Sequence, residues 1–215
     1  MILTPTDADG FLRRARERLR TEPPGPLDPH SNPNGDHAFN PDLLLPAHLA
    51  RPRAAAVLVP VVLHDDEVTV LLTQRAAHLR DHSGQIAFPG GKIDPSDRSP
   101  LATALREAEE EIGLRSAQVR SLGYLDPYLS GTGFLVIPVV GLVSPPLDLA
   151  LNAHEVTEAF EVPLSFLLDP DHHEIHEREW KGRQRRYYAI PFGDRYIWGV
   201  TAGIIRNLYE RLYPS

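Results

Sequence analysis

No cysteine occurs among the 215 residues. Its absence excludes a disulfide framework, a thiolate zinc site and a cysteine nucleophile, and leaves nothing about the compartment to be read from thiols. No run approaches the ~20 apolar residues of a membrane span. The first residues, MILTPTDADGFLRRARERLR, lack the uninterrupted apolar stretch of a signal peptide. The expectation is a soluble, cytoplasmic protein without a membrane partner. Broad basic surface is missing as well, since 22 Lys and Arg face 29 Asp and Glu for a net charge of −7. A nucleic-acid partner is therefore not expected, and any phosphate ligand must be held by local arginines and metal. There are no internal repeats.

The 42% hydrophobic content suits one ordinary core. We divide the chain at residue 50, with an N-terminal helix and proline-rich arm over 1–50 and a single domain over 51–215. Asp7 to Arg20 reads as an amphipathic helix docked on the domain edge, with Phe11, Leu12, Ala15 and Leu19 on one side. Thr21 to Pro46 has many prolines and no period, and is read as a passive loop. Ala54 to Leu63 and Glu67 to Thr73 read as a hairpin turning at His64-Asp65-Asp66. Val119 to Leu125 and Phe134 to Val143 are further strands, the second apolar enough to be central, so a mixed sheet follows. Glu174 to Arg178, Arg185 to Ile190 and Arg195 to Trp198 suggest charged strands at an exposed lid or edge, with turns at Gly182 and Gly193. His172, His173 and His176 lack the spacing of a zinc site. A closing helix over Val200 to Leu212 places Ile204, Ile205, Leu208 and Leu212 on one face.

The chemistry concentrates in Gly90 to Leu114, GGKIDPSDRSPLATALREAEEEIGL. Ser99 followed by Pro100 starts a helix, because serine accepts an orphan amide proton and proline at the first helical position has none to lose. Gly113 stops it. Leu101, Ala104, Leu105, Ala108 and Ile112 recur at helical spacing and face inward. Glu107, Glu110 and Glu111, three and four apart, share the other flank, while Glu109 points elsewhere. Each like-charge pair costs an isolated helix roughly 0.2–0.5 kcal/mol. Such a cluster wants a cation beyond Arg106, and oxygen-only donors suit Mg²⁺ or Mn²⁺. Read alone, a glycine turn, clustered carboxylates and upstream arginines make a site for metal-assisted attack on a phosphate.

The run R-E-A-E-E-E-I-G-L, preceded by G-G, resembles the Nudix box of the Nudix hydrolases, G-x5-E-x7-R-E-U-x-E-E-x-G-U with U aliphatic. Arg106, Glu107, Ala108, Glu110, Glu111, Gly113 and Leu114 fall on it, although the span from Gly91 to Arg106 is one residue too long and Asp97 replaces the first glutamate. Upstream, LLTQRAAHLRDHSGQIAFPGG resembles the signature of the coenzyme A pyrophosphatase branch, L-L-T-x-R-[SA]-x3-R-x3-G-x3-F-P-G-G, at every fixed position from Leu71 to Gly91. The resemblance implies an α+β fold, an α/β/α sandwich around a mixed sheet. It also implies an enzyme that cleaves the diphosphate of coenzyme A or its thioesters, giving adenosine 3',5'-bisphosphate and 4'-phosphopantetheine or its acyl form. Alternatives are a Nudix pyrophosphatase of ADP-ribose, NADH or another nucleotide, and a non-catalytic Nudix-fold binding module. By position, Glu107 and Glu111 would be the principal Mg²⁺ or Mn²⁺ ligands, with Glu110 a further or water-mediated one and the Gly91 carbonyl completing the set. Arg106 would orient the glutamates, and Arg75 and Arg80, read as loop residues, would meet the substrate's phosphates. The general base stays open among Glu110, Glu107 and Glu155; Glu155 and Glu158 would reach over the metals from a loop.

Overall fold

The computed structural model describes residues 8–25, 34–44, 52–79, 83–180 and 182–214. Its centre is a hairpin of β1 (Arg53–Leu63) and β2 (Val68–Arg75), closed at Val61↔Val70 and Leu63↔Val68. Toward their open ends the two strands part. Into the gap run β3 (Ile86–Ala87), which pairs β2 at Thr73 and Gln74, and β4 (Gly90–Lys92), which pairs β1 at Ala55 to Val57. This wedge sets Gly90 and Gly91 at the middle of the sheet. β7 (Phe134–Val143) lies parallel to β1 along ten residue pairs and takes β5 (Val119–Tyr124) and β6 (Tyr128–Leu129) antiparallel on its far side, so the sheet is mixed as expected.

Side-chain alternation along β1 divides the core in two. Ala56, Leu58 and Val62 pack with Ala104, Ala108 and Ile112 of α2 (Pro100–Ile112). Val59 and Val61 face Phe11, Ala15 and Leu19 of the N-terminal region and Ile204, Ile205 and Leu208 near the C-terminus. These last belong to α1 (Ala8–Arg18, with Leu19 just beyond it) and, after a single turn α3 (Leu164–Leu167), to α4 (Val200–Leu212). Helices on both faces of a mixed sheet make the expected α/β/α sandwich. Helix α1 is set deeper than an edge position, for Phe11 and Ala15 are fully buried.

Two readings need correction here. Glu155 lies in a turn as expected, but Glu158 is not in a loop, because Val156–Pro163 forms β8, which pairs β2 from Thr69 to Arg75. The described part of the arm is also no passive linker. Asp36 accepts hydrogen bonds from Tyr128 Oη at 2.7 Å and the Gly131 amide at 2.6 Å. Asn40 exchanges two hydrogen bonds with the Arg186 backbone, and Asp42 pairs with Arg183 and Arg185. Those arginines belong to β10 (Arg183–Phe192), the middle strand of a second sheet flanked by β9 (Glu174–Trp180) and β11 (Arg195–Trp198), with turns at Gly182 and Gly193. Among the described residues, no helix is long and apolar enough to cross a membrane.

Candidate active site

Helix α2 begins and ends as its sequence requires. Ser99 Oγ accepts the Ala102 amide at 3.1 Å, and Gly113 turns the chain out of the helix at φ 70°, a conformation glycine adopts without strain. The buried face seats the helix on β1 and β7, which fixes the direction of the carboxylates above it.

Glu111 is the most enclosed of them, its side chain 4% exposed. The Gly90 amide donates to its Oε2 at 3.1 Å, and Arg75 Nη1 stands 3.7 Å from its Oε1. Burial pushes its pKa up to about 7, more than the Gly90 amide and Arg75 recover, and Glu107 and Glu155 push it further in the same direction. Glu107, one turn earlier, is also raised by burial, while Arg106 opposes the shift. The closeness of Glu107 and strand β4 depends on Gly91, where a Cβ would lie 2.5 Å from Glu107 Cδ. Glu110 is half exposed at 56%.

Arg106 ties this flank together. Its Nη1 is shared between Glu107 Oε1 at 2.9 Å and Glu110 Oε2 at 3.0 Å, and Nε and Nη2 grip the two oxygens of Asp97 at 3.2 and 3.0 Å. This fork holds the Asp97 carboxyl down at about 2, and Thr103 Oγ1 donates to the same group. Asp97 therefore anchors the arginine rather than adding to the glutamate cluster. The loop that carries it closes on itself through the Asp97 amide to Asp94 O and the Asp94 amide to Asp97 Oδ2.

Glu155 precedes β8. Its Oε1 accepts Asn152 Nδ2 at 3.1 Å, its carbonyl accepts the Ala76 amide at 2.8 Å, and its charge reaches both Glu107 and Glu111. Glu158 lies on β8 itself and forms a double ion pair with Arg195 at 2.6 and 2.9 Å, so it does not reach over the cluster. Arg75 is the last residue of β2 rather than a loop residue, and its Nε is buried with no hydrogen-bond partner among the described residues. Arg80 lies outside the described residues. The three histidines are engaged apart from one another, His172 on Phe166 O, His173 on Leu167 O and His176 on Glu174 and Tyr196.

Among the described residues, no three His, Cys, Asp or Glu side chains are gathered around a point that would hold an ion, and Arg106 and the Gly90 amide contact carboxylate oxygens of Glu107 and Glu111. The donor set nevertheless suits a hard divalent cation. All donors are oxygen, two of the carboxylates are withdrawn from solvent with their charged forms disfavoured, and Gly91 leaves the backbone approachable.

The NUDIX domain family profile matches residues 52–182, and the chain belongs to the Nudix hydrolases; it is an enzyme of a family that generally needs divalent metal ions. Its similarity to individual members is substantial. It is 46% identical over 160 residues to an uncharacterized Nudix hydrolase NudL of Photorhabdus laumondii, covering 74% of this chain and 85% of that protein. With a NudL of Yersinia pestis it shares 44% over 160 residues, covering 74% and 80%. A solved Nudix hydrolase of M. smegmatis, RenU, shares 26% identity at a TM-score of 0.46, covering 53% of this chain and 71% of that one.

Proposed function

We propose that this enzyme hydrolyses the diphosphate of coenzyme A or its thioesters. The observation that carries the reading is the placement of the described residues between Leu71 and Gly91. The segment starts on β2, places Arg75 beside Glu111 with a buried Nε unspent, and returns through the wedge to set Gly90 and Gly91 against Glu111 and Glu107. The residues that match the coenzyme A pyrophosphatase signature thus adjoin the carboxylates that match the Nudix box.

Glu107 and Glu111 would hold the Mg²⁺ or Mn²⁺, with Glu110 and the Gly91 carbonyl as further donors. When bound, the ions neutralise non-bridging phosphoryl oxygens and acidify water. Arg106, fixed by Asp97, holds Glu107 and Glu110 at one spacing. Arg75 and Arg80 meet the diphosphate, where a guanidinium gives a charge-assisted, two-pronged contact. Water adds its oxygen to one phosphorus, the bridging P–O bond breaks, and a carboxylate takes the proton. We assign that proton to Glu155, because Asn152 steadies it and its charge reaches Glu107 and Glu111, whereas Glu110 is turned toward solvent and tied to Arg106. A coenzyme A substrate also suits a cytoplasmic enzyme.

The test is incubation with coenzyme A and Mg²⁺, followed by mass analysis. Adenosine 3',5'-bisphosphate and 4'-phosphopantetheine are the expected products. Intact coenzyme A beside cleaved ADP-ribose, NADH or nucleoside triphosphate would replace this reading with another Nudix specificity.

A further inference from the structure

A cleft of about 570 Å³ opens between the end of β2, the residues 83–86 and the second sheet. That volume lies within the roughly 300–1,000 Å³ of small-molecule sites. One wall is aromatic. Trp198 lies near-parallel to Tyr196, with ring centres 6.4 Å apart at 29°, and Tyr187 meets it edge-on at 5.2 Å. Tyr196 is 39% exposed, on a sheet that also exposes Ile175 and Trp180. Arg178 places its guanidinium carbon 5.1 Å from the Trp198 ring centre.

The charges of this sheet are unevenly spent. Arg183 and Arg185 pair with Asp42, Arg186 with Glu177 and Arg195 with Glu158. Arg178 is exposed and has no ion-pair partner among the described residues. A cation beside a flat aromatic surface fits a ligand that is itself flat and anionic. The cleft also adjoins the active site through the chain. Gln74 lines the cleft and its neighbour Arg75, whose side chain leaves β2 on the other face, stands 3.7 Å from Glu111, so a ligand joining the two sites rounds the end of β2.

We propose that this cleft holds the nucleoside bisphosphate half of the substrate, the purine against Trp198 and Tyr196 and the 3'-phosphate on Arg178. The assignment rests on the coenzyme A reading and extends it. Gln74 and Asp194, also in the lining, offer acceptors for the exocyclic amine of adenine, and the Gln74 amide a donor for its ring nitrogens. Stacking of a base on an aromatic ring contributes about 5- to 150-fold in affinity.

The experiment uses the two tryptophans of the chain. Trp180→Phe leaves Trp198 as the sole indole, and its fluorescence is followed as adenosine 3',5'-bisphosphate is added without metal. Saturable quenching is expected, weakened about tenfold or more by adding Arg178→Ala, a change at an exposed position. 4'-Phosphopantetheine should leave the fluorescence unchanged. Quenching by phosphopantetheine in place of the bisphosphate, or quenching indifferent to Arg178→Ala, would overturn the assignment. Coenzyme A turnover is measured on the same preparation. Turnover without quenching removes the cleft and leaves the coenzyme A reading standing. Quenching without turnover removes that reading and keeps the cleft as a nucleotide site.

Discussion

At the α2 flank, Asp97, Glu107, Glu110 and Glu111 share two arginines, Arg106 and Arg75, and much of that negative charge is withdrawn from water. The β9–β11 sheet is closer to balance: its five arginines stand among Glu174, Glu177, Glu179 and Asp194 and pair with Asp42, Glu177 and Glu158 in contacts that are mostly more exposed. Buried excess charge is costly to the folded protein, whereas exposed excess charge costs little. The first region therefore carries crowded, partly buried negative charge, while the second spreads paired charge over an exposed surface. Under the two proposals above, the first takes a metal ion and the second an anion.

The sharpest way to break this contrast is Glu111→Gln. We expect turnover with coenzyme A and Mg²⁺ to fall about 100-fold or more, since even outer-sphere partners of metal ligands cost 10–100-fold, while the fold survives. The same variant tests the burial argument. Because the folded pKa of about 7 exceeds the ordinary glutamate value of 4.5, Glu111 stabilises the metal-free protein fully below about pH 4.5, and that contribution disappears as pH climbs through about 7. Thermal melts across this window should decline for the wild type and flatten in the variant. An unflattened slope would remove Glu111 as its cause.

Asp97→Asn comes next. Losing one side of the fork should lower kcat about 10- to 100-fold, as for other outer-sphere partners, with KM for coenzyme A little changed. A change confined to KM would make Arg106 a substrate contact instead. On the opposite region, Asp42→Ala should free Arg183 and Arg185 and speed hydrogen exchange of the Arg186 amide held by Asn40, with kcat altered by less than about threefold. Its carboxyl is held at about 2 by Arg185 and Arg183, so the contact persists above about pH 3.8 and is lost as acid is added toward pH 2. The smallest effect belongs to Glu177→Ala, whose pair with Arg186 is more than half exposed on both sides. A melting temperature moved by less than about 2 °C is expected, and a larger drop would show that the second sheet depends on its surface ions.

The same contrast explains what could be read from the residues alone. Helix α2, its caps and its glutamate flank lie in one contiguous stretch governed by helical spacing, so they were legible. The β1–β2 hairpin and the central β7 announced themselves by apolar runs. Strand β8 did not, because VTEAFEVP lies on β2 with Glu158 and Glu161 interrupting the alternation that marks a strand. Arg75 passed for a loop residue because the glycine-containing turn begins just beyond it, while β3 and β8 extend the strand from either side. Asp97 needed the fold of its own loop before its grip on Arg106 could be seen. The contacts of Asp36, Asn40 and Asp42 join residues 92 to 146 positions apart, and no local pattern encodes them.

The far end of α2 is closed by a neighbour. Ala150 and Asn152 donate their amides to Ile112 O and Glu111 O, each at 2.9 Å, and Glu155 follows three residues later. Glu155 and the helix are consequently docked to each other through main-chain atoms that any amino acid possesses. Turns of altered sequence could be grafted after Asn152 to audition new carboxylates, with the helix serving as a fixed chassis.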